Sequence, residues 1–413
     1  MPNPKQWTIL VWMAGDNDLE SYGRDDIQEL KRVGSTADVD VVVQLDTMRD
    51  DRTRRYHLHS GTSLDEDVVQ DLGETNTGDP QVAIDFFTWG LSQYPAKHSL
   101  AVIWNHGSGI DETDVYRRAA TRGITVERRP RPSPHTLPRS RVRAIVSRRF
   151  RRALFSTTID AAIARRAIAY DDTSRDFLDN IELQKVLATV RQRTKRKLDL
   201  LGFDACLMNM VEVAYQLRNA VGFIVGSEEA EPGDGWPYDK ILADLAAKPS
   251  MTPPELGATV VRRYVESYRA EAVTQSLLDI ARLPAVARVV DALAGALLAA
   301  IKTPVEYAAV TKAVLNAQSY DVKDFIDLAD LCEQLKKRSK STKVKETAQA
   351  TIEALKSGDG RLVAAEQHRG SRVRRSSGAS IYFPRGEATV AYGRLDFAKA
   401  TRWGALIRAY TSA

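Results

Sequence analysis

The chain has 413 residues, of which 43% are hydrophobic and 27% are charged, a composition typical of a globular protein with one large or two smaller domains. Its two cysteines, Cys206 and Cys332, exclude a disulfide framework, lie too far apart for a metal motif, and favour a reducing compartment. The apolar run at the N-terminus is too short for a signal peptide or membrane anchor. A cytoplasmic location is therefore the default expectation, without excluding secretion by another route.

The net charge of +5 conceals a strongly basic segment. Residues 115–168 contain 15 Arg and no Lys against two acids, so they carry +13, and the rest of the chain carries about −8. Prolines at 130, 132, 134 and 138 predict that the first part of this Arg-rich insert is an extended loop. The apolar spacing of its second part is compatible with a basic amphipathic helix.

Short apolar runs alternate with helical patterns along the first half of the chain, which predicts an α/β fold with a mostly parallel sheet and helices on both faces. The predicted strands are 7–14, 39–46, 99–106, 198–205 and 221–228, and the predicted helices are 81–94, 181–190 and 207–220. From 238 to about 356 the pattern is almost wholly helical, and a sixth strand is predicted at 378–384. The Ala/Leu-rich stretch 286–301 contains Arg288 and Asp291, so we expect a buried helix there rather than a membrane span.

Cys206 is a candidate nucleophile because it follows a predicted buried strand and precedes a predicted helix. The backbone N–H groups and dipole of a helix N-terminus stabilise a thiolate. The alternative is a small buried hydrophobic residue, which is what most free cysteines are. Asp204, two positions earlier, should by itself raise the pKa of the thiol. Cys332 lies among apolar residues at helical spacing, and we expect it to belong to the core.

His106 is the matching candidate acid or base, in the sequence WNHGSG directly after the predicted strand 99–106. Its alternative is a histidine that caps the strand in a turn. Because the carboxyl ends of parallel strands meet at one edge of a sheet, we expect His106 and Cys206 to lie close together. Acyl transfer by a thiol needs a base and preorganised N–H donors, for which the backbone of Gly107 and Cys206 would serve as an oxyanion hole.

These motifs resemble the clostripain family of cysteine endopeptidases. The resemblance rests on WTILVWMAGDNDLE, NTGDP, AVIWNHGSG, LDLLGFDACLMNMVEVAYQLRN, GSEEAEPGDGWPY and the C-terminal GASIYFPRGEATVAYGRLDF, and it runs from Trp7 to Tyr410 with the Arg-rich insert as an interruption. It implies a caspase-like three-layer fold with a C-terminal helical addition. It also implies a dyad of His106 and Cys206 and cleavage after Arg or Lys.

The resemblance further implies roles for three residues in substrate binding. Asp204 would lie in the primary specificity pocket and pair with the basic side chain before the cut. Asp234 resembles a second pocket acid, and Trp236 would form a wall for the aliphatic part of that side chain. The family often responds to Ca²⁺, for which Asp16, Asp18, Asp171, Asp172 and Asp176 are possible ligands without a diagnostic spacing. We expect no cofactor to be required for the chemistry.

Two predicted domains follow: a caspase-like catalytic core at 1–235, and a helical subdomain at 236–413 that returns the strand 378–384 and a C-terminal helix to the core. The Arg-rich insert is interpreted as an activation linker, self-cleaved after a basic residue such as Arg143, Arg152 or Arg166 into a two-chain form. Two alternatives are a surface for nucleic acid or anionic membrane and a solvated insert without a partner. The rival function is a non-catalytic or regulatory protein that keeps this scaffold and binds a polyanion.

Overall fold

A nine-stranded β-sheet forms the centre of the protein. The computed structural model describes residues 4–17, 19–105, 107, 109–110, 168–171, 176–356 and 360–412. The sheet strands are β1 (Lys5–Gly15), β2 (Val39–Thr47), β3 (Arg52–His57), β4 (Val68–Asp71), β5 (Ala96–Trp104), β8 (Leu198–Asp204), β9 (Val221–Gly226), β10 (Val273–Asp279) and β12 (Val363–Arg369). Their order across the sheet is β12-β10-β9-β8-β5-β1-β2-β3-β4.

The five central strands are parallel, and they are the five that the apolar runs predict. β1 pairs in parallel with β2 and β5, β5 with β8, and β8 with β9. The outer pairs, β3–β4 and β10–β12, are antiparallel additions at the two edges. All five central strands therefore end at the same edge of the sheet, where the predicted site residues follow β5 and β8.

Helices cover both faces of the sheet, because side chains of the central strands are apolar on both sides. Leu10, Trp12 and Ala14 of β1 belong to one hydrophobic cluster, whereas Ile9, Val11 and Met13 belong to the other. The helices are α1 (Glu20–Val33), α2 (Pro80–Gln93), α3 (Asn180–Thr194), α4 (Val211–Leu217), α5 (Tyr238–Ala247), α6 (Pro253–Ser267), α7 (Leu283–Ala300), α8 (Pro304–Asn316), α9 (Leu328–Arg338), α10 (Thr342–Lys356), α11 (Asp396–Ala400) and α12 (Trp403–Thr411).

The three layers confirm the predicted α/β architecture. Helices α1, α5 and α6 supply buried side chains to the second cluster, while α2, α3, α4 and the C-terminal helices α7–α10 and α12 supply them to the first. The helical addition predicted for the C-terminal part is thus a layer that packs on the sheet. The predicted boundary at 235/236 stays a prediction.

The prediction of an almost wholly helical segment from 238 to 356 is wrong at β10. The sequence of this strand is VTQSLLD, whose polar residues interrupt the apolar run that predicts a buried strand. In the structure it lies in the main sheet between β9 and β12. The predicted sixth strand, 378–384, shortens to β13 (Ser380–Tyr382) and pairs with β11 (Phe325–Asp327) in a separate two-stranded sheet. A second small sheet joins β6 (Ile168–Asp171) and β7 (Asp176–Leu178).

The Ala/Leu-rich stretch forms α7, as predicted. Together with the preceding short turn (Ile280–Arg282), it is the one helical stretch among the described residues with the length and hydropathy of a membrane span. Seven of its side chains, from Leu283 to Leu297, are buried in the first hydrophobic cluster. Cys332 of α9 is fully buried in the same cluster, which confirms its assignment to the core.

Candidate active site

Cys206 lies at the carboxyl edge of the sheet, two residues beyond the end of β8, and it is partly buried. The next residue, Leu207, has φ 63°, a left-handed conformation that is uncommon outside glycine. Helix α4 begins only at Val211, so the predicted helix 207–220 is wrong at its start. The thiol therefore does not lie at a helix N-terminus, and a helix dipole does not act on it as the sequence suggests.

The backbone of Glu231 holds the sulfur instead. The Glu231 N–H donates to Cys206 Sγ at 3.3 Å, and the Glu231 carbonyl oxygen lies 3.7 Å from Sγ as an acceptor for the thiol. Burial raises the pKa of the Cys206 thiol, N–H donation from Glu231 and Gly107 opposes this, and the carboxylates of Asp321 and Glu229 add to the rise. The uncharged thiol is thus favoured, and it is held by two backbone donors.

The chain after β5 lies against the chain after β8. Trp104, the last residue of β5, pairs with Asp204, and the Asn105 N–H donates to the Asp204 carbonyl oxygen at 3.3 Å. His106 lies outside the described residues. Gly107 is so close that a Cβ there would be 2.3 Å from the Cys206 carbonyl oxygen and 2.9 Å from its nitrogen. Only glycine fits at position 107 without moving the backbone.

Asp204 is buried beneath this edge, with 5% of its surface exposed. Its Oδ2 accepts a hydrogen bond from the Tyr238 hydroxyl at 2.8 Å and one from the Trp236 N–H at 3.3 Å. Burial raises the pKa of Asp204, while these hydrogen bonds oppose the rise. Gly235 has φ 55°, and a Cβ there would be 3.0 Å from Asp204 Oδ1, so the turn needs glycine to approach the carboxylate.

The side chains of Asp234 and Trp236 are placed differently from each other. Asp234 is exposed on the turn, whereas the indole of Trp236 is 1% exposed and packs over Gly202 in the second hydrophobic cluster. The turn therefore meets Asp204 through its backbone, by the N–H of Trp236. The roles predicted for these two side chains in substrate binding stay predictions.

Three further polar residues surround Asp204. The carboxyl groups of Glu231 and Asp204 interact with each other, and Asp26 of α1 accepts from the indole N–H of Trp104 at 2.6 Å. Burial, followed by the charge of Asp204, raises the pKa of Asp26. We name Asp26, Asp204, Glu231 and Tyr238 the acidic cluster. Among the described residues, no Lys or Arg forms a salt bridge with any of its carboxyl groups.

Sequence reasoning names Asp204 but does not assign a role to Asp26, Glu231 or Tyr238. The acidic composition of SEEAEPGDGW draws attention to the loop that contains Glu231. Its other two glutamates serve the scaffold. Glu228 accepts from the Gly378 N–H at 2.9 Å, and Glu229 forms an ion pair with Arg372 at 3.2 Å. Asp26, on a distant helix, has no such signal in the sequence.

A separate group of acids could hold a metal ion. Carboxylate oxygens of Asp16, Asp46 and Glu74 lie within 4.8 Å of one another, and burial raises the pKa of Asp46 to about 6. Three such oxygens fit part of the six to eight that Ca²⁺ takes. Of the Ca²⁺ ligands suggested by the sequence, only Asp16 belongs to this group. The side chains of the other four (Asp18, Asp171, Asp172 and Asp176) lie outside the described part of the chain.

Three comparisons relate this chain to known proteins. Over 269 residues it is 24% identical to clostripain of Hathewaya histolytica, with 58% of this chain and 42% of that protein covered. The chain thus spans less than half the length of this curated relative. Two solved structures share its fold: a secreted C11 cysteine protease from Bacteroides thetaiotaomicron in complex with an irreversible peptide inhibitor, and an inactive zymogen C11 protease from Parabacteroides distasonis.

The two structural matches extend over nearly the whole chain. The B. thetaiotaomicron protein is 19% identical with a TM-score of 0.63, and the P. distasonis protein is 18% identical with a TM-score of 0.62. Each match covers 97% of this chain and 99% of the other. At this identity they establish the caspase-like fold alone. The sequence model of the peptidase C11 (clostripain) family matches residues 11–128 and 156–409, so the chain belongs to the clostripain family of cysteine peptidases.

Proposed function

We propose that the chain is a cysteine endopeptidase that cleaves after Arg or Lys and uses Cys206 as nucleophile with His106 as acid and base. The observation that carries this proposal is the position of Cys206 at the sheet edge beside the buried acidic cluster. A thiol within reach of a cation-binding site is the arrangement that cleavage after a basic residue requires.

In the proposed reaction, Cys206 Sγ attacks the carbonyl carbon of the scissile bond, and His106 gives a proton to the leaving amine as the C–N bond breaks. Water then hydrolyses the resulting thioester, and His106 takes a proton from that water. The N–H groups of Gly107 and Cys206 stabilise the oxyanion. Support comes from the close approach of Gly107 to the Cys206 backbone and from its N–H donation to the sulfur. His106 directly precedes Gly107 in the sequence, and its role as acid and base is part of the proposal.

Asp204 is proposed to bind the basic side chain of the substrate. A buried carboxylate without a cationic partner is unfavourable, and a guanidinium can satisfy it with two parallel hydrogen bonds. The negative charge of Asp204 disfavours the Cys206 thiolate in the free enzyme. Binding of a cation offsets this effect, so substrate recognition also favours the reactive form of the nucleophile. Asp234 and Trp236 keep their predicted supporting roles in this proposal.

The Arg-rich insert is proposed to be an activation linker. Its candidate processing sites, Arg143, Arg152 and Arg166, lie outside the described residues. Support comes from its 15 Arg, since a basic segment that entered an acidic site would act there both as an inhibitor and as a substrate. The expected cytoplasmic location stays a prediction, since one structure that shares the fold is that of a secreted protease.

Hydrolysis of a fluorogenic Arg-amide by wild type, Cys206→Ala and Cys332→Ala tests the proposal. We expect no activity in Cys206→Ala, and activity in Cys332→Ala, which removes the other cysteine from the core. Mass spectrometry after incubation should find a cut after an Arg in 115–168 in wild type but not in Cys206→Ala. Equal hydrolysis by wild type and Cys206→Ala would instead favour the non-catalytic rival, for which a salt-dependent gel shift with DNA is the direct test.

A further inference from the structure

The carboxyl groups of Asp204 and Glu231 lie close enough to interact directly. Asp204 already accepts hydrogen bonds from the Tyr238 hydroxyl and the Trp236 N–H, as an ionised carboxylate does, which leaves Glu231 as the member of the pair that would hold a proton. Glu231 Oε1 has a long contact of 3.5 Å to Gln275 Nε2, and its buried Oε2 meets no hydrogen-bond donor among the described residues. Glu231 is therefore a half-buried acid with one buried carboxyl oxygen whose hydrogen bonding is incomplete.

The groups that face this pair are acidic or neutral. Asp26 and Glu29 approach from α1, and Cys206 approaches from the end of β8. Three tyrosines complete the surroundings: Tyr238 from α5, and Tyr264 and Tyr268 from α6. The burial of Glu231 and then the charge of Asp204 raise its pKa well above its usual range. Two adjacent carboxylates cannot both be charged here without a cation.

We propose that Glu231 is a second specificity residue for the basic side chain, holding a proton in the empty site and releasing it when a guanidinium or ammonium group enters. This inference rests on the proposed function. It adds a second residue that binds the substrate cation and the release of a proton when the cation binds. The proton leaves the Glu231 carboxyl group for solvent, and the resulting carboxylate pairs with the cation.

The exchange leaves the charge of the pair plus its occupant unchanged. Before binding, ionised Asp204 and protonated Glu231 carry one negative charge. After binding, two carboxylates and one cation also carry one negative charge. A neutral side chain of similar shape would displace no proton and would leave both carboxyl groups without a cation, so the pair selects against it.

Glu231 also connects the specificity site to the nucleophile. Its side chain pairs with Asp204, and its own N–H donates to Cys206 Sγ at 3.3 Å. A cation that binds the Glu231 carboxylate thus acts on the residue whose backbone orients the sulfur. Glu231 thus contacts the proposed specificity site through its side chain and the nucleophile through its backbone N–H.

The test is the inhibition constant of benzamidine, an arginine-like cation, against Arg-amide hydrolysis between about pH 5 and 9. In wild type, the inhibition constant should rise about tenfold for each unit that the pH falls below the apparent pKa of the pair, because binding then requires loss of a proton. Glu231→Gln keeps the shape and a hydrogen-bond donor to Asp204 but has no proton to release. It should bind benzamidine on the order of 10- to 100-fold more weakly at high pH, and its pH break should move lower because Asp204 loses its acidic neighbour.

Calorimetry in two buffers of different ionisation enthalpy counts the released protons. Below the apparent pKa, wild type should release about one proton per benzamidine, and Glu231→Gln about none. The matched control is Glu271→Gln, which removes an exposed carboxylate and should match wild type. Thermal unfolding checks that each variant is folded. If Glu231→Gln does not fold, Glu231→Asp should fold, release a proton and bind benzamidine more weakly than wild type.

The outcomes separate the two proposals. Hydrolysis by wild type together with a Glu231→Gln variant that keeps the wild-type affinity, pH profile and proton release would overturn the role of Glu231 alone. If Glu231→Gln does not fold and Glu231→Asp binds with wild-type affinity and no proton release, this role is also overturned. Failure of wild type to hydrolyse the Arg-amide would overturn the proposed function and, with it, this inference.

Discussion

Replacing Asp204 with asparagine should separate recognition of the basic side chain from reactivity of the thiol. Asparagine retains an oxygen that can accept the hydrogen bonds now made by Tyr238 at 2.8 Å and by the Trp236 N–H at 3.3 Å. It removes the charge that a substrate cation would meet. Because Asp204 is only 5% exposed, the loss resembles breaking a buried ion pair, about 3 to 5 kcal/mol, rather than an exposed one, about 0 to 1 kcal/mol.

This free energy corresponds to a fall in kcat/KM for an Arg-amide of about 200- to 5000-fold. Alkylation of Cys206 by iodoacetamide, which carries no cation, should change by less than about threefold. Glu271→Gln is the control for loss of an exposed carboxylate. Equal losses in hydrolysis and in alkylation, or a fall in kcat/KM below about tenfold, would refute the assignment of Asp204 to the specificity site.

Three more substitutions test the surroundings. Tyr238→Phe removes a hydrogen bond that lowers the pKa of Asp204, so the acid limb of the kcat/KM profile should move to higher pH, and an unchanged limb would contradict this. Gly107→Ala places a Cβ 2.3 Å from the Cys206 carbonyl oxygen and should lower kcat about 100-fold or more. The control Gly386→Ala has open space around it and should leave kcat unchanged. Similar values of kcat in the two variants would refute the contact. Trp236→Ala should lower the free energy of unfolding in urea by about 3 to 5 kcal/mol, and a changed KM with unchanged stability would instead indicate a wall of the substrate site.

The central sheet follows from the sequence because its five parallel strands are buried on both faces. Continuous apolar runs are the pattern that such strands require. The apolar pattern does not reveal strand β10, because the polar side chains of this strand are buried and form hydrogen bonds with the backbone of neighbouring segments. Thr274 accepts from the N–H groups of Glu228 and Glu229, and Ser276 donates to the Gly378 carbonyl oxygen at 2.7 Å. When the polar residues of a buried strand form hydrogen bonds with neighbouring backbone, its sequence lacks a periodic apolar pattern that would distinguish the strand from a helix.

The residues of the candidate site also divide into those that the sequence predicts and those that it does not. Asp204 and Cys206 are predictable because they lie within two residues of each other at the end of one apolar strand. Asp26 and Glu231 reach Asp204 from a helix and a loop that meet only in the folded protein, so neither has a local pattern. The position of Cys206 relative to α4 is also missed, because the left-handed Leu207 delays the helix by several residues.

The pairing of β5 with β8 determines what cleavage of the Arg-rich insert would do to the fold. These strands are neighbours in the middle of the sheet, matched from Leu100–Leu200 to Trp104–Asp204, and Asp199 adds side-chain hydrogen bonds to Ser99. After a cut anywhere in 115–168, the β5–β8 pair would be the interface between two polypeptides, and each polypeptide would contribute several strands to one continuous sheet. Dissociation of the two fragments would expose two apolar strand edges to water. The fragments of a cleaved molecule should therefore stay associated until denaturant unfolds both.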